Sequence, residues 1–109
     1  MYARTTIVGH LGKDPEMQYL PDGTGKTKFS VAVNRRVKKD GEWTDATDWY
    51  NVEVWGKRAE SCNQYLHKGS KVLVSGEPQS WEYDGAIYWK LKAFDVVFMD
   101  KKQDNDPDF

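Results

Sequence analysis

Trp49 and Trp55 stand six residues apart in "WYNVEVWGK", with Asn51 and Glu53 between them at even spacing. In an extended chain these four side chains share one face, while Tyr50, Val52 and Val54 take the other. The second face reads as core. The first carries two of the largest apolar side chains beside an amide and a carboxylate. An upstream segment, "TKFSVAVNRR", has the same division: Phe29, Val31 and Val33 on one side, Lys28, Ser30, Ala32, Asn34 and Arg36 on the other. Exposed indoles offer flat surfaces on which planar rings stack, and neighbouring cations neutralise phosphates. Together these suit single-stranded nucleic acid, whose base faces are free and stack at about 1–3 kcal/mol per base regardless of sequence. A duplex hides those faces.

Further candidates follow the same logic. "YWKLK" puts Tyr88, Lys90 and Lys92 on one face, and "SWEY" does so with Trp81 and Tyr83. Trp43 lies across the hairpin from the basic run "NRRVKK", which supplies Arg35, Arg36 and Lys38; Lys57 follows Trp55. The expected stacking set is therefore Trp43, Trp49, Trp55, Trp81, Tyr83 and Tyr88. The expected phosphate contacts are Lys28, Arg35, Arg36, Lys38, Lys57, Lys90 and Lys92. Blander readings stand beside these. A tryptophan pair can be buried between protomers of an interaction subunit, and a basic run can be a solvated hairpin. Trp89, sharing a face with Ile87 and Leu91, reads as core. Cys62 and Tyr65 read as helix-to-barrel packing.

Catalytic and metal chemistry find little footing. "GTGKT" at 23–27 resembles the end of a phosphate-binding loop, but Leu20 stands where the pattern needs a glycine, and the segment joins two strands. His10 and His67 have no ligand cluster around them in sequence, so no metal and no cofactor is expected. No nucleophile–base arrangement or carboxylate pair stands out, which makes an enzyme the third reading.

The elements that must position these residues are mostly strands. "RTTIVGHLG" alternates and is cut by "KDPE"; "LPDGTGK" is a turn. Asp40-Gly41 is a two-residue hairpin turn. It pairs residues whose numbers sum to 81, setting Val31 opposite Tyr50 and Phe29 opposite Val52. "KRAESCNQYLHKG" changes to helical spacing through Ala59, Cys62, Tyr65 and Leu66, with His67 and Lys68 in the last turn and Gly69 as terminator. Strands resume with "SKVLVSGEPQSWEY", and Asp84-Gly85 turns the chain into "AIYWKLKAFDVVFM". Three strands, one short helix, then further strands fit an all-β, five-stranded Greek-key barrel of the OB type, with the helix between strands 3 and 4.

The chain of 109 residues suits one domain. Hydrophobic residues are 39% and charged residues 30%, which places it among folded, water-compatible chains without a membrane span. The single cysteine excludes an internal disulfide, and "MYARTTIVGH" lacks a signal-peptide stretch; both point to the cytoplasm of a bacterium or an infected host cell. The net charge of −1 conceals a division: residues 1–102 hold all 16 bases and 14 of the 17 acids. Residues 103–109, "QDNDPDF", hold three aspartates and no base. A barrel domain over 1–102 with an acidic, disordered tail over 103–109 is the expected organisation.

The blocks "IVGHLGKDPEMQYLPDGT", "FSVAVNRR", "DWYNVEVWGKRAESCNQYLHKGSKVLVSGE" and "FMD" together resemble the bacterial-type single-stranded DNA-binding protein over about residues 1–100. That resemblance implies an OB-fold, a homotetramer, sequence-independent wrapping of single-stranded DNA without catalysis, and service in replication, recombination and repair. Its stacking positions fall on Trp49, on Trp55 where phenylalanine is familiar, and near Tyr83. A fourth falls on Val37, for which Trp43 across the hairpin compensates. The resemblance also implies a tail that docks replication and repair enzymes, here Asp104, Asp106, Pro107, Asp108 and Phe109. Pro107 is displaced from its usual place beside the terminal phenylalanine, and the long Gly/Gln/Pro-rich linker is nearly absent. These departures suggest a short phage-, plasmid- or paralogue-type version.

Overall fold

A computed structural model describes residues 1–100. Its elements are β1 (Thr5–Leu11), β2 (Glu16–Tyr19), β3 (Gly25–Lys39), β4 (Glu42–Trp55), α1 (Lys57–Tyr65), β5 (Lys71–Tyr83) and β6 (Ala86–Phe98). The sheet runs β1-β5-β6-β4-β3, and β1 returns to pair with β3 at His10–Ala32 and Leu11–Val31. Five long strands thus close into a barrel. β2 is a sixth, short strand on the edge of β3 beyond its contact with β1. The sequence reading took "KDPE" to "LPDGTGK" as connection and missed β2. Because of β2, the helix between the third and fourth barrel strands lies between β4 and β5.

The β3–β4 hairpin follows its turn without a bulge. Asp40 and Gly41 both adopt positive φ, 52° and 83°, the conformation a two-residue turn of this type demands. Every pair from Lys39–Glu42 to Lys26–Trp55 keeps the expected register. Alternation then sends Phe29, Val31, Val52 and Val54 into the barrel, where they meet Ile7, Leu11, Val72, Val74 and Leu91. Each of the five long strands contributes β-branched or aliphatic side chains to one core, and burial of that apolar surface drives closure.

The helix closes one end of the barrel. Ala59 and Cys62 are buried on it, and Leu66, just beyond it, joins the core. The buried Thr27 hydroxyl donates to the Ala59 carbonyl at 2.6 Å, and Gly56 N–H donates to the Gly25 carbonyl at 2.9 Å. These two bonds tie α1 to β3. Three expectations about this region need correction. The helix stops at Tyr65, Leu66 is already extended, and His67 and Lys68 fall after the last turn. Tyr65 is exposed, with its ring 6.2 Å from that of Phe98.

Trp89 is the larger correction. It was expected in the core with Ile87 and Leu91, yet it is 61% exposed and Ile87 is exposed as well. Alternation gives these residues one face, but only Leu91 reaches the barrel interior. The β5–β6 hairpin outruns the barrel, so its core-side face has nothing opposite it beyond Leu91.

Candidate nucleic-acid interface

Sheet order and register assemble the outer faces of four strands into one surface. On β3 lie Lys26, Lys28, Ser30 and Ala32; across from them on β4 lie Trp55, Glu53, Asn51 and Trp49. β6 runs parallel to β4 with Glu53 beside Lys92, which places Lys92, Lys90 and Tyr88 next in line. β5 completes the surface with Trp81 beside Tyr88 and Gln79 beside Lys90. The two hairpins that sequence reading treated separately are therefore joined edge to edge on one face.

The aromatics differ in setting. Trp49 is 61% exposed. A methyl group at Gly12 would collide with its ring, so the indole rests on the backbone of the segment after β1, and only glycine permits that approach. Trp55 is half-buried, with the Lys26 ammonium 5.1 Å and the Lys92 ammonium 5.8 Å from its ring. Trp81 stacks on Tyr88 with centroids 5.6 Å apart, and the Lys90 ammonium is 5.6 Å from its ring. Trp43 is exposed on the hairpin arm under the Arg36 guanidinium at 5.8 Å, and Tyr83 is exposed near the other hairpin's tip. Cations within about 6 Å of a ring face are attracted to it, so the face interleaves charge with π-surface at the scale of a nucleotide.

The cations sort into paired and free. Among the described residues Lys28, Lys38 and Lys92 make no ion pair, whereas Arg36 lies 3.8 Å from Asp45. Arg35 does not join the set. It has the parity of Val33, faces away from the tryptophans and is bound to Asp48 at 2.8 Å. Lys57 is exposed at the start of α1, where no contact ties it to the aromatic face. The tail residues Asp104, Asp106, Pro107, Asp108 and Phe109 lie outside the described residues.

Two residues that sequence reading passed over sit at the centre. Glu53 is only 7% exposed, and its carboxylate lies 3.1 Å from the Lys90 ammonium and 3.5 Å from that of Lys26. Burial pushes this carboxyl up, but Lys90, Lys26 and the nearby Trp55 indole N–H outweigh burial and hold it below the usual carboxylate value. The indole N–H favours the charged form without closing a full hydrogen bond: Trp55 Nε1 and Glu53 Oε1 are both buried without a partner in hydrogen-bond geometry. Beside this cluster a groove of about 380 Å³ runs between the β1–β2 segment and the β5–β6 hairpin. Lys13, Lys28, Asn51, Glu53, Trp81 and Lys90 are among its lining. Lys26 was hidden in "GTGKT", which drew attention only as a false phosphate loop. Glu53 was visible on the outer face opposite Lys28, but its ion-pair partner on β6, Lys90, comes from a pairing that no turn specifies.

Residues 2–92 match the single-strand binding protein family. A single-stranded DNA-binding protein of Neisseria meningitidis serogroup A is 35% identical over 100 residues, 91% of this chain and 58% of that protein. "Single-stranded DNA-binding protein 2" of Clostridium acetobutylicum is 44% identical over 95 residues, 86% of this chain and 70% of the relative. Among solved structures, a deletion mutant of the single-stranded DNA binding protein from Thermus aquaticus superposes with a TM-score of 0.78 at 22% identity. It covers 89% of this chain and 50% of the other. This last likeness establishes the fold, and the chain spans little more than half the length of several curated relatives it matches.

Proposed function

The chain belongs to the single-strand binding protein family, and from that membership we propose that it binds single-stranded DNA without sequence preference through the β3–β4–β6–β5 face. The carrying observation is the interleaving of Trp49, Trp55 and Trp81 with Lys26, Lys28, Lys90 and Lys92 on one continuous surface. Bases stack on Trp49, Trp55, Trp81 and Tyr88, with Trp43 and Tyr83 extending the path along the two hairpin arms. Lys28, Arg36, Lys38, Lys90 and Lys92 neutralise phosphates. Arg35 and Lys57 are peripheral. No bond is made or broken; binding protects the strand during replication, recombination and repair in the cytoplasm.

Titration of tryptophan fluorescence with oligo(dT) at two salt concentrations tests this. Quenching is expected, with log affinity falling by about 0.7 per neutralised phosphate for each unit of log salt. Equal affinity for duplex, or affinity indifferent to salt, would rule out the mechanism.

Assembly is a second component of the proposal. β1 pairs with β3 only through His10 and Leu11, so among the described residues Thr5–Val8 keep one edge without a strand partner. An edge of this kind pairs readily with another copy, and a homotetramer built from such pairs fits the family. Trp89 and Ile87, exposed on the face away from the lysines, are the aromatic–aliphatic patch that burial between protomers would explain. Sedimentation at micromolar concentration giving only the 12.6 kDa species would reject assembly. Residues 103–109 are proposed as a tail apart from the barrel domain, recruiting replication and repair proteins through its aspartates and Phe109. Deleting 104–109 should leave the fold intact, slightly raise DNA affinity at low salt and abolish capture of those partners.

A further inference from the structure

Glu53 is an acid at the centre of a face that would receive a polyanion. It is nine-tenths buried, and the two strands paired with its own present bases beside it, Lys26 and Lys28 from β3 and Lys90 and Lys92 from β6, with Glu77 of β5 one strand further out beside Lys92. The segment across the groove adds Lys13, Asp14 and Glu16. Its two ion-pair partners have a second engagement. The Lys26 ammonium rests on the Trp55 indole, and the Lys90 ammonium on that of Trp81. Their side chains are only 15% and 29% exposed, so in the free chain both ammonium groups are held inside the face. Each ammonium has three N–H donors, but the carboxylate and the ring hold it within the face, so a phosphate arriving from outside competes with both for it.

We propose that Glu53 is a positioning residue that holds the ammonium groups of Lys26 and Lys90 on the tryptophan rings. An incoming strand takes these lysines over by exchange, with bases replacing the ammonium groups on the rings and phosphates replacing the carboxylate as their partners. The inference rests on the single-strand reading and specifies the step by which the face opens. It has an electrostatic consequence. Once its lysines turn to phosphates, Glu53 is left buried beside a polyanion, where its charged form is disfavoured. At neutral pH the orphaned carboxylate draws a cation that offsets one of those released from the strand. At mildly acid pH it takes up a proton instead, so affinity rises as pH falls.

The test uses the whole chain and a labelled oligo(dT), with Glu53→Gln as the isosteric neutral variant. The variant should bind more tightly at low salt, with a salt slope steeper by about 0.7. Between about 50 and 200 mM salt it should therefore lose roughly threefold more affinity than the parent. The parent should bind more tightly at pH 5 than at pH 7, and the variant should lose that gain. A folded variant that binds more weakly at every salt concentration, or keeps the parent's slope and pH profile, overturns the proposal. Should Glu53→Gln not fold, Lys90→Gln decides: exchange makes the slope shallower by about 0.7, while a lysine that stays on Glu53 in the complex leaves it unchanged. A parent chain that binds no oligo(dT) at any salt refutes the single-strand reading and this inference together. Normal binding with an unaltered slope refutes the inference alone.

Discussion

Replacing Trp49 by alanine separates binding from folding more cleanly than any other change on the aromatic face. The indole is 61% exposed, so of the roughly 250 Å² a tryptophan can bury, only about 100 Å² is covered. At ~25 cal/mol per Å² that contact contributes at most ~2.5 kcal/mol, an upper bound because unfolded chains already bury part of such surface. A domain of ordinary stability, about 5–15 kcal/mol, survives the loss. A stacked base, by contrast, forfeits about 1–3 kcal/mol, which is roughly a 5- to 150-fold rise in Kd. Binding is best followed by anisotropy of a labelled oligo(dT), because the substitution removes one of the quenched fluorophores. Thermal unfolding run in parallel reports the fold, and sedimentation the assembly. A folded Trp49→Ala protein that binds within about twofold of the parent would refute the stacking role. So would one that loses binding only because its assembly dissociates.

Gly12→Ala should act through the same ring: the added methyl displaces the indole and weakens binding, and in a Trp49→Ala background it should add almost nothing. Equal losses in both backgrounds would detach Gly12 from the site. Thr27→Val removes the buried hydroxyl that bonds the Ala59 carbonyl and should cost about 1–3 kcal/mol in chemical denaturation, with an unmoved midpoint as the contrary result. Acid stability should also respond to Glu53. Its folded value lies below the usual carboxylate value, so its ion pairs contribute fully above that usual value and are lost as pH falls through the lower, folded one. Glu53→Gln should therefore flatten the acid limb of the stability curve; an unchanged limb would show that other carboxylates govern it.

Most of the barrel was legible because local chemistry dictates it. Asp40-Gly41 accepts the two positive φ angles of a hairpin turn, and that one turn fixes the register of the whole β3–β4 ribbon. Once the register is set, alternation alone separates Val31 and Val52 from Lys28 and Trp49. β2 escaped notice because "EMQY" is only four residues long and lies between two turn-like segments, so no alternation accumulates. Trp89 was misplaced for a different reason. Alternation gives the face of a residue but not the length of the body behind it. Whether the core side of an arm meets another layer depends on where the barrel ends.

The centre of the site was hidden by the one pairing no turn can announce. β4 and β6 meet in parallel at Val52–Leu91 and Glu53–Lys92, with the helix and the whole of β5 between them in the chain. No local signal sets that register, and a shift of one residue would turn Lys90 and Lys92 inward and Leu91 outward. The register is set from inside, since burying Leu91 against Val52 and Val74 leaves Lys90 and Lys92 only the outer face. Core packing thereby delivers two lysines to the side of Glu53, and β3 supplies Lys26 from the other side. The charge pattern of the outer face is thus a by-product of apolar fit within. Volume-conserving changes at Leu91 should accordingly be tolerated, whereas a polar residue there would unseat the lysines together with the core.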